Sequence, residues 1–298
     1  MSGEPIASRP FLPNAVRDGA DGPYRPKDER LLGKPELRIR VEDSDYAPFH
    51  VRNDAGELEG YSVGVMNELA FRLGRTPAYY PGPFPSAFQE VADGKYDVGS
   101  VDATYTLARE MRGLLFTGRP STSEIDTLIV AKTAAATAIE DVLKDDQFKI
   151  AVQKGAATVA LLANSHKVGR DRIVEVETSD DAVRLATERA LKGEPYAVVT
   201  KMKVVEAVIG ARAALNFKGL SGDIYDIIGG NRGPSLQVSQ NNGALFAALQ
   251  TALIEASDEG RFKPYGERYN VLTLSGAEAG KMPTTRQSDI DALLASKS

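Results

Sequence analysis

Cysteine and tryptophan are both absent from this 298-residue chain. Without cysteine there are no disulfides and no thiolate metal sites. That suits an oxidising compartment without requiring one. Only His50 and His166 supply imidazole, so a His-rich metal centre is not expected, nor any other cofactor. No apolar run approaches the ~18 residues of a membrane-spanning helix. The formal charge of −5 leaves no basic footprint, so nucleic acid is not an expected partner. No P-loop, dinucleotide-binding glycine pattern or metal-ligand cluster occurs, which disfavours NTPase, dehydrogenase and metalloenzyme readings. The glycines of Gly229–Gly233 (GGNRG) read as hinge or loop. The opening MSGEPIASRPFLPNAVRDGADG lacks the basic start and apolar centre of a signal peptide. Either the protein is not exported or the sequence starts after a cleavage point.

What is present suits a water-soluble chain of about two domains, with 42% hydrophobic and 26% charged residues. Residues 1–36 are rich in Pro, Gly and charge without periodicity, and read as an extended arm. Leu37, Ile39 and Val41 alternate with polar residues, the signature of a strand. Met66, Leu69, Ala70 and Leu73 recur at helical spacing from Ser62 on, and Gly74 closes that helix. Short strands are expected at Ala78–Tyr80 and Tyr96–Val101, with a helix over Ser86–Asp93 between them. This β-α-β-α-β order implies a mainly parallel sheet covered by helices. A second unit of the same kind follows the β-branched run Thr127–Ala131 (TLIVA). Its strands are expected at Lys149–Val152, Ile173–Val176 and Ala197–Thr200. Its helices are expected at Gly155–Ala163, at Ser179–Leu191 with Ser179 as the cap, and at Val204–Ile209. Leu236–Val238 reads as a returning strand and Asn242–Glu255 as an amphipathic helix.

Two strands end in chemistry suited to a ligand: LRIRVEDSDYAPF over Leu37–Phe49, and YDVGSVDATYTLAR over Tyr96–Arg109. In open α/β sheets, ligands sit beyond the carboxyl ends of strands.

From about Leu37 to Asn270 the chain resembles the periplasmic amino-acid-binding proteins of ABC importers, solute-binding protein family 3. The resemblance rests on the order and spacing of DSDYAPF (Asp43–Phe49), GELEGYSV (Gly56–Val63), GKYDV (Gly94–Val98), TYTLAR (Thr104–Arg109), VQKG (Val152–Gly155), AVVT (Ala197–Thr200) and GRFKPYGERY (Gly260–Tyr269). It implies an α/β fold of the two-lobed periplasmic-binding-protein type (type II), whose lobes, joined by two hinge strands, close over a ligand. One hinge would be Thr127–Ala131 and the other would lie near Ile227–Val238. The expected organisation is an arm at 1–36, a discontinuous first lobe at 37–130 and 232–270, a second lobe at 131–231, and a C-terminal extension at 271–298. The implied protein is a periplasmic, monomeric binder of an amino acid, an amino-acid derivative or an organic acid. Its partner would be the membrane permease of an ABC importer, and it would run no chemical step. Cyclohexadienyl dehydratases resemble the same family and expel water from prephenate-like substrates with a general acid, so an enzyme is one alternative. An accessory or sensor binding protein is another.

The resemblance also assigns site residues. Arg109 falls on the arginine that grips a ligand α-carboxylate, a task for which a guanidinium fork is suited; Arg112 is a nearby competitor. Thr104 matches a hydroxyl that reaches the same carboxylate. Asp43 and Tyr46 follow the first strand where pocket residues sit, with Asp45 as an alternative acid and a core-edge role open for Tyr46. Phe84 falls where an aromatic stacks on the ligand, though an aromatic between Pro83 and Pro85 is as often simply packed. In the second lobe Gln153 and Thr158 are candidate hydrogen-bond donors, because Ala156 and Ala157 replace the usual hydroxyls. Lys201 stands where the family usually has an aspartate for the ligand ammonium. It either pairs with an acid such as Asp102, or meets a second anionic group of the ligand, or points to solvent.

Overall fold

The computed structural model describes residues 4–8, 36–121, 127–222, 224 and 234–282, apart from the side chains of residues 101 and 102. These residues form two compact units. One holds residues 4–45, 49–121 and 234–282, and the other holds 46–48 and 127–224, each within the described ranges.

The first unit opens with β1 (Glu36–Glu42), β2 (Val51–Arg52), β3 (Leu58–Glu59), α1 (Tyr61–Arg72), β4 (Thr76–Gly82), α2 (Phe84–Ala92), β5 (Val98–Thr104), α3 (Leu107–Glu110) and β6 (Leu114–Phe116). The second unit supplies β7 (Thr127–Ala131), α4 (Ile139–Lys144), β8 (Lys149–Gln153), α5 (Ala157–Ala160), β9 (Ile173–Val176), α6 (Ser179–Leu191), β10 (Tyr196–Thr200), α7 (Met202–Ile209), α8 (Ala211–Ala214) and β11 (Phe217–Gly219). The chain then returns to the first unit with β12 (Pro234–Ser239), α9 (Gly243–Asp258), α10 (Lys263–Tyr269) and α11 (Gly276–Ala279).

Both units carry a five-stranded sheet on one plan, β4-β1-β5-β12-β6 in the first and β9-β8-β10-β7-β11 in the second. In each, three parallel strands come first, in the order second-first-third. An antiparallel strand follows, β12 or β7, flanked by one more strand antiparallel to it. This is the fold of the two-lobed, type II periplasmic binding proteins. The parallel strands run the same way, so their carboxyl ends share one edge of each sheet.

The core explains the sequence pattern. Along β7, Leu128 and Val130 join one buried cluster with Ile139, Val142 and Leu162, while Ile129 and Ala131 join another with Val183, Val204 and Val205. A strand covered on both faces has no polar positions to alternate, hence the run TLIVA. The strand expected as a hinge is thus a fully buried member of the second sheet. Residues 122–126, which precede it in sequence, lie outside the described residues, as does most of the other expected hinge near Ile227–Val238. In the first unit Leu37, Ile39 and Val41 are buried on β1, and Met66 and Leu69 on α1. Gly74 closes α1 at φ +65°, a left-handed conformation that glycine adopts without a Cβ clash.

Three local expectations differ from the structure. The helix expected over Gly155–Ala163 is one α-turn, α5, followed by a π-helical stretch at Leu161–Ser165. The cap of α6 is Thr178, whose Oγ1 accepts from Asp181 N at 3.0 Å, rather than Ser179. The ends of the chain are also partly structured. Ile6 bridges Tyr79 on the outer strand β4, and Thr273 bridges Ser121.

Candidate ligand-binding site

The first unit builds its candidate site where β1, β4 and β5 end. β5 finishes at Thr104, and Thr106 caps the short α3 by accepting from Arg109 N at 3.2 Å. That turn reverses the chain so that Arg109 Nη1 donates to the Thr104 carbonyl at 2.6 Å. Thr104 therefore contributes its backbone oxygen to hold the arginine. Arg109 is 7% exposed, whereas its competitor Arg112 is exposed. Around the guanidinium stand two rings from α2. Its Cζ lies 3.8 Å from the centroid of Phe88 and 5.8 Å from that of Phe84. The rings themselves meet edge to face at 5.3 Å. An arginine on an aromatic face is held by the ring quadrupole and is ordered in one plane. Such a fork, partly desolvated, is suited to a carboxylate.

Phe84 is thus half-buried against Phe88, which joins the packing reading to the site: it contributes to the aromatic bed of Arg109. Sequence reading missed Phe88. The available signal was the spacing of Phe84 and Phe88, four apart on one helical face just after a strand end.

Asp43 and Asp45, beyond β1, are both exposed. Asp45 Oδ1 accepts from Arg52 N at 2.9 Å, which occupies it in the β2–β3 hairpin. Tyr46 groups with the second unit. There it packs, half-buried, against the cluster containing Val198 and Val204. Asp102 lies in β5, but its side chain is outside the described residues, and so is its suggested pairing with Lys201.

In the second unit the candidates again sit at strand ends. Gln153 is the last residue of β8, half-buried, and its carbonyl accepts from Ala156 N at 3.1 Å to shape the following turn. Thr158 on α5 is buried. Lys201 follows β10 and is the N-cap residue of α7, its carbonyl accepting from Val204 N at 3.0 Å. At 8% exposure it does not point into solvent, which removes one of its three readings. The first turn of α7 has no acid, so lysine stands at the positive end of that helix, the end that favours anions.

The family described as "Bacterial extracellular solute-binding proteins, family 3" matches residues 37–271. A curated cyclohexadienyl dehydratase from Pseudomonas aeruginosa is 28% identical over 82 residues, covering 28% of this chain and 30% of that enzyme's length. Among solved structures, a histidine kinase sensor domain with similarity to periplasmic binding proteins aligns at TM-score 0.66 and 19% identity. That alignment covers 81% of this chain and 99% of the other. An ancestral arginine-binding protein bound to arginine aligns at TM-score 0.62 and 21% identity, over 79% and 98% of the two chains.

Proposed function

The chain belongs to the bacterial extracellular solute-binding proteins, family 3, and from that premise we propose that it captures a small carboxylate-bearing solute, an amino acid, a derivative or an organic acid, for the membrane permease of an ABC importer. The observation that carries this reading is Arg109: a buried guanidinium at a strand-end edge, bedded on Phe88 and tied to Thr104. In the first unit it takes the solute carboxylate, with Phe84 against the solute body and Asp43 at the rim. Gln153, Thr158, Tyr46 and Lys201 are the second unit's contribution, and Asp102 is the acid proposed to balance Lys201.

No bond is made or broken. A solute that engages residues of both units favours the closed arrangement in which both can engage it. A place of work outside the cytoplasm fits the family. Among the described residues no helix is long and apolar enough to cross a membrane.

A thermal-shift screen of amino acids, dicarboxylates and aromatic acids tests the proposal. A solute present at ~100 times its dissociation constant adds about 2.7 kcal/mol of stability. Small-angle scattering of the protein saturated with a hit should give a smaller radius of gyration than the protein alone, and identical curves would count against closure.

The curated match favours one second reading, a dehydratase. A general acid of that kind sits in apolar enclosure; of the acids open to that role, Asp43 is exposed and the side chain of Asp102 lies outside the described residues. Incubation with prephenate decides the matter: release of water and carbon dioxide at catalytic protein concentrations would replace the binding reading.

A further inference from the structure

Arg40 is buried on β1, 2% exposed, and its partners converge on one short stretch of chain. Its Nε donates to Glu90 Oε2 at 2.5 Å. Its Nη1 donates to the carbonyls of Gly82, at 2.9 Å, and Val41. Its Nη2 donates to the Pro83 carbonyl at 2.9 Å and to Ser86 Oγ at 3.2 Å. Gly82, Pro83 and Ser86 are the end of β4 and the first turn of α2, the turn that presents Phe84. Glu90 lies one turn further along the same helix. Gly82 is shaped to this arrangement. A Cβ there would lie 2.6 Å from Arg40 Nη2 and 2.9 Å from its Cζ, closer than real contacts allow. The guanidinium, held by its other partners, could not yield without leaving them.

We infer that Arg40 is a positioning residue for the ligand site. Its planar fork locks the turn between β4 and α2, and so sets the place of Phe84 beside Arg109. The ring's distance from the Arg109 guanidinium, 5.8 Å, then follows from a residue whose hydrogen bonds go to the turn on either side of Phe84. Five acceptors around one fork suit arginine; a lysine, with a single ammonium, cannot meet them together. The importance of this for solute capture rests on the reading of Arg109 as the carboxylate grip. The positioning itself does not.

The absence of tryptophan allows a direct test. Phe84→Trp places a single indole emitter at the position in question. In that background, Arg109→Ala should shift the indole emission and raise its quenching by acrylamide, because the ring loses its neighbour. With Arg40→Gln or Arg40→Lys added, the same Arg109→Ala change should alter the emission several-fold less, because the turn is already released. Folding is checked by far-ultraviolet circular dichroism. Gly82→Ala keeps the Arg40 charge while displacing its guanidinium and should act like Arg40→Gln, which covers the case in which Arg40→Gln does not fold. An Arg109→Ala effect of equal size with and without Arg40 overturns the inference, as does full restoration by lysine. Calorimetry with L-arginine and L-glutamine on the wild-type protein addresses the carboxylate grip separately: absence of binding there weakens the proposed function and leaves the fluorescence result to stand or fall by itself.

Discussion

The guanidinium of Arg109 lies on the ring of Phe88, 3.8 Å from its centroid. A cation stacked on an aromatic face is ordered in one plane, a geometry suited to recognising a carboxylate. The carbonyl of Thr104 fixes one arm of the fork and the ring fixes the plane, so little ordering remains to be done when a carboxylate arrives.

Arg109→Ala is therefore expected to abolish solute binding with the fold retained. Removing one partner of a desolvated charge pair costs ~2–5 kcal/mol of affinity. Arg109→Lys should fail nearly as badly, since a point charge reproduces neither the fork nor the stack. Titration calorimetry with a solute found in the screen measures both. Unchanged affinity in the alanine variant would sink the site assignment.

Phe88→Leu separates the ring from mere apolar volume. The leucine fills most of the space but has no π face, so affinity should fall by about 0.5–2 kcal/mol, the range of a cation–π contact. Loss of thermal stability without any change in affinity would show that Phe88 serves only the core.

Much of this molecule is legible in the sequence because buried strands and amphipathic helices repeat their apolar residues at fixed periods. β1, β7, β8, β10, α1 and α6 all announce themselves this way. Three-residue strands such as β6 and β11 are too short to show a period. The site is legible in part. Arg109 and Lys201 emerge from resemblance, and the structure buries both. Arg40 is the instructive miss. In Leu37–Val41 (LRIRV) it occupies a polar slot of an alternating strand and reads as solvent-facing. Its burial depends on acceptors more than forty residues away in sequence at Gly82, Pro83 and Glu90, which no local pattern displays.

The Arg40–Glu90 pair also has a pH signature. Burial works against the ionised Glu90, but hydrogen bonds from Lys95 and Arg40 prevail and hold its carboxyl below the usual 4.5. Above that value both folded and unfolded chains carry the ionised group, and the pair's stabilisation is complete. As pH falls, the unfolded chain takes up the proton first, and stability declines until the folded pKa is passed. Melting temperature should therefore drop more between about pH 6 and about pH 3 in the wild type than in Glu90→Gln, with the curves converging at the acid end. Parallel curves would mean that Glu90 contributes nothing to acid sensitivity.

Lys201 carries the ligand-class question. A cation about 4 Å from a ligand ammonium costs about 4 kcal/mol at an effective dielectric near 20, enough to exclude a plain amino acid unless an acid offsets it. Two arrangements satisfy a buried lysine at this strand end: pairing with an acid such as Asp102, or contact with a second anionic group on the solute. Lys201→Asp distinguishes them by which solutes gain. If the lysine meets the solute, the variant should lose affinity for dicarboxylates and gain it for neutral amino acids. If Asp102 holds the lysine, Asp102→Asn should weaken binding of any cationic solute. The double variant should then depart from additivity by about 0.5–3 kcal/mol, as groups in contact do. Because Asp102 is the acid proposed to balance Lys201, the expected outcome is the weakening of cationic solutes by Asp102→Asn. Calorimetry with succinate, L-glutamate and L-glutamine on the wild type and both single variants measures it. If neither substitution changes affinity for any of the three, Lys201 does not face the solute, and the solute's class must be set elsewhere in the site.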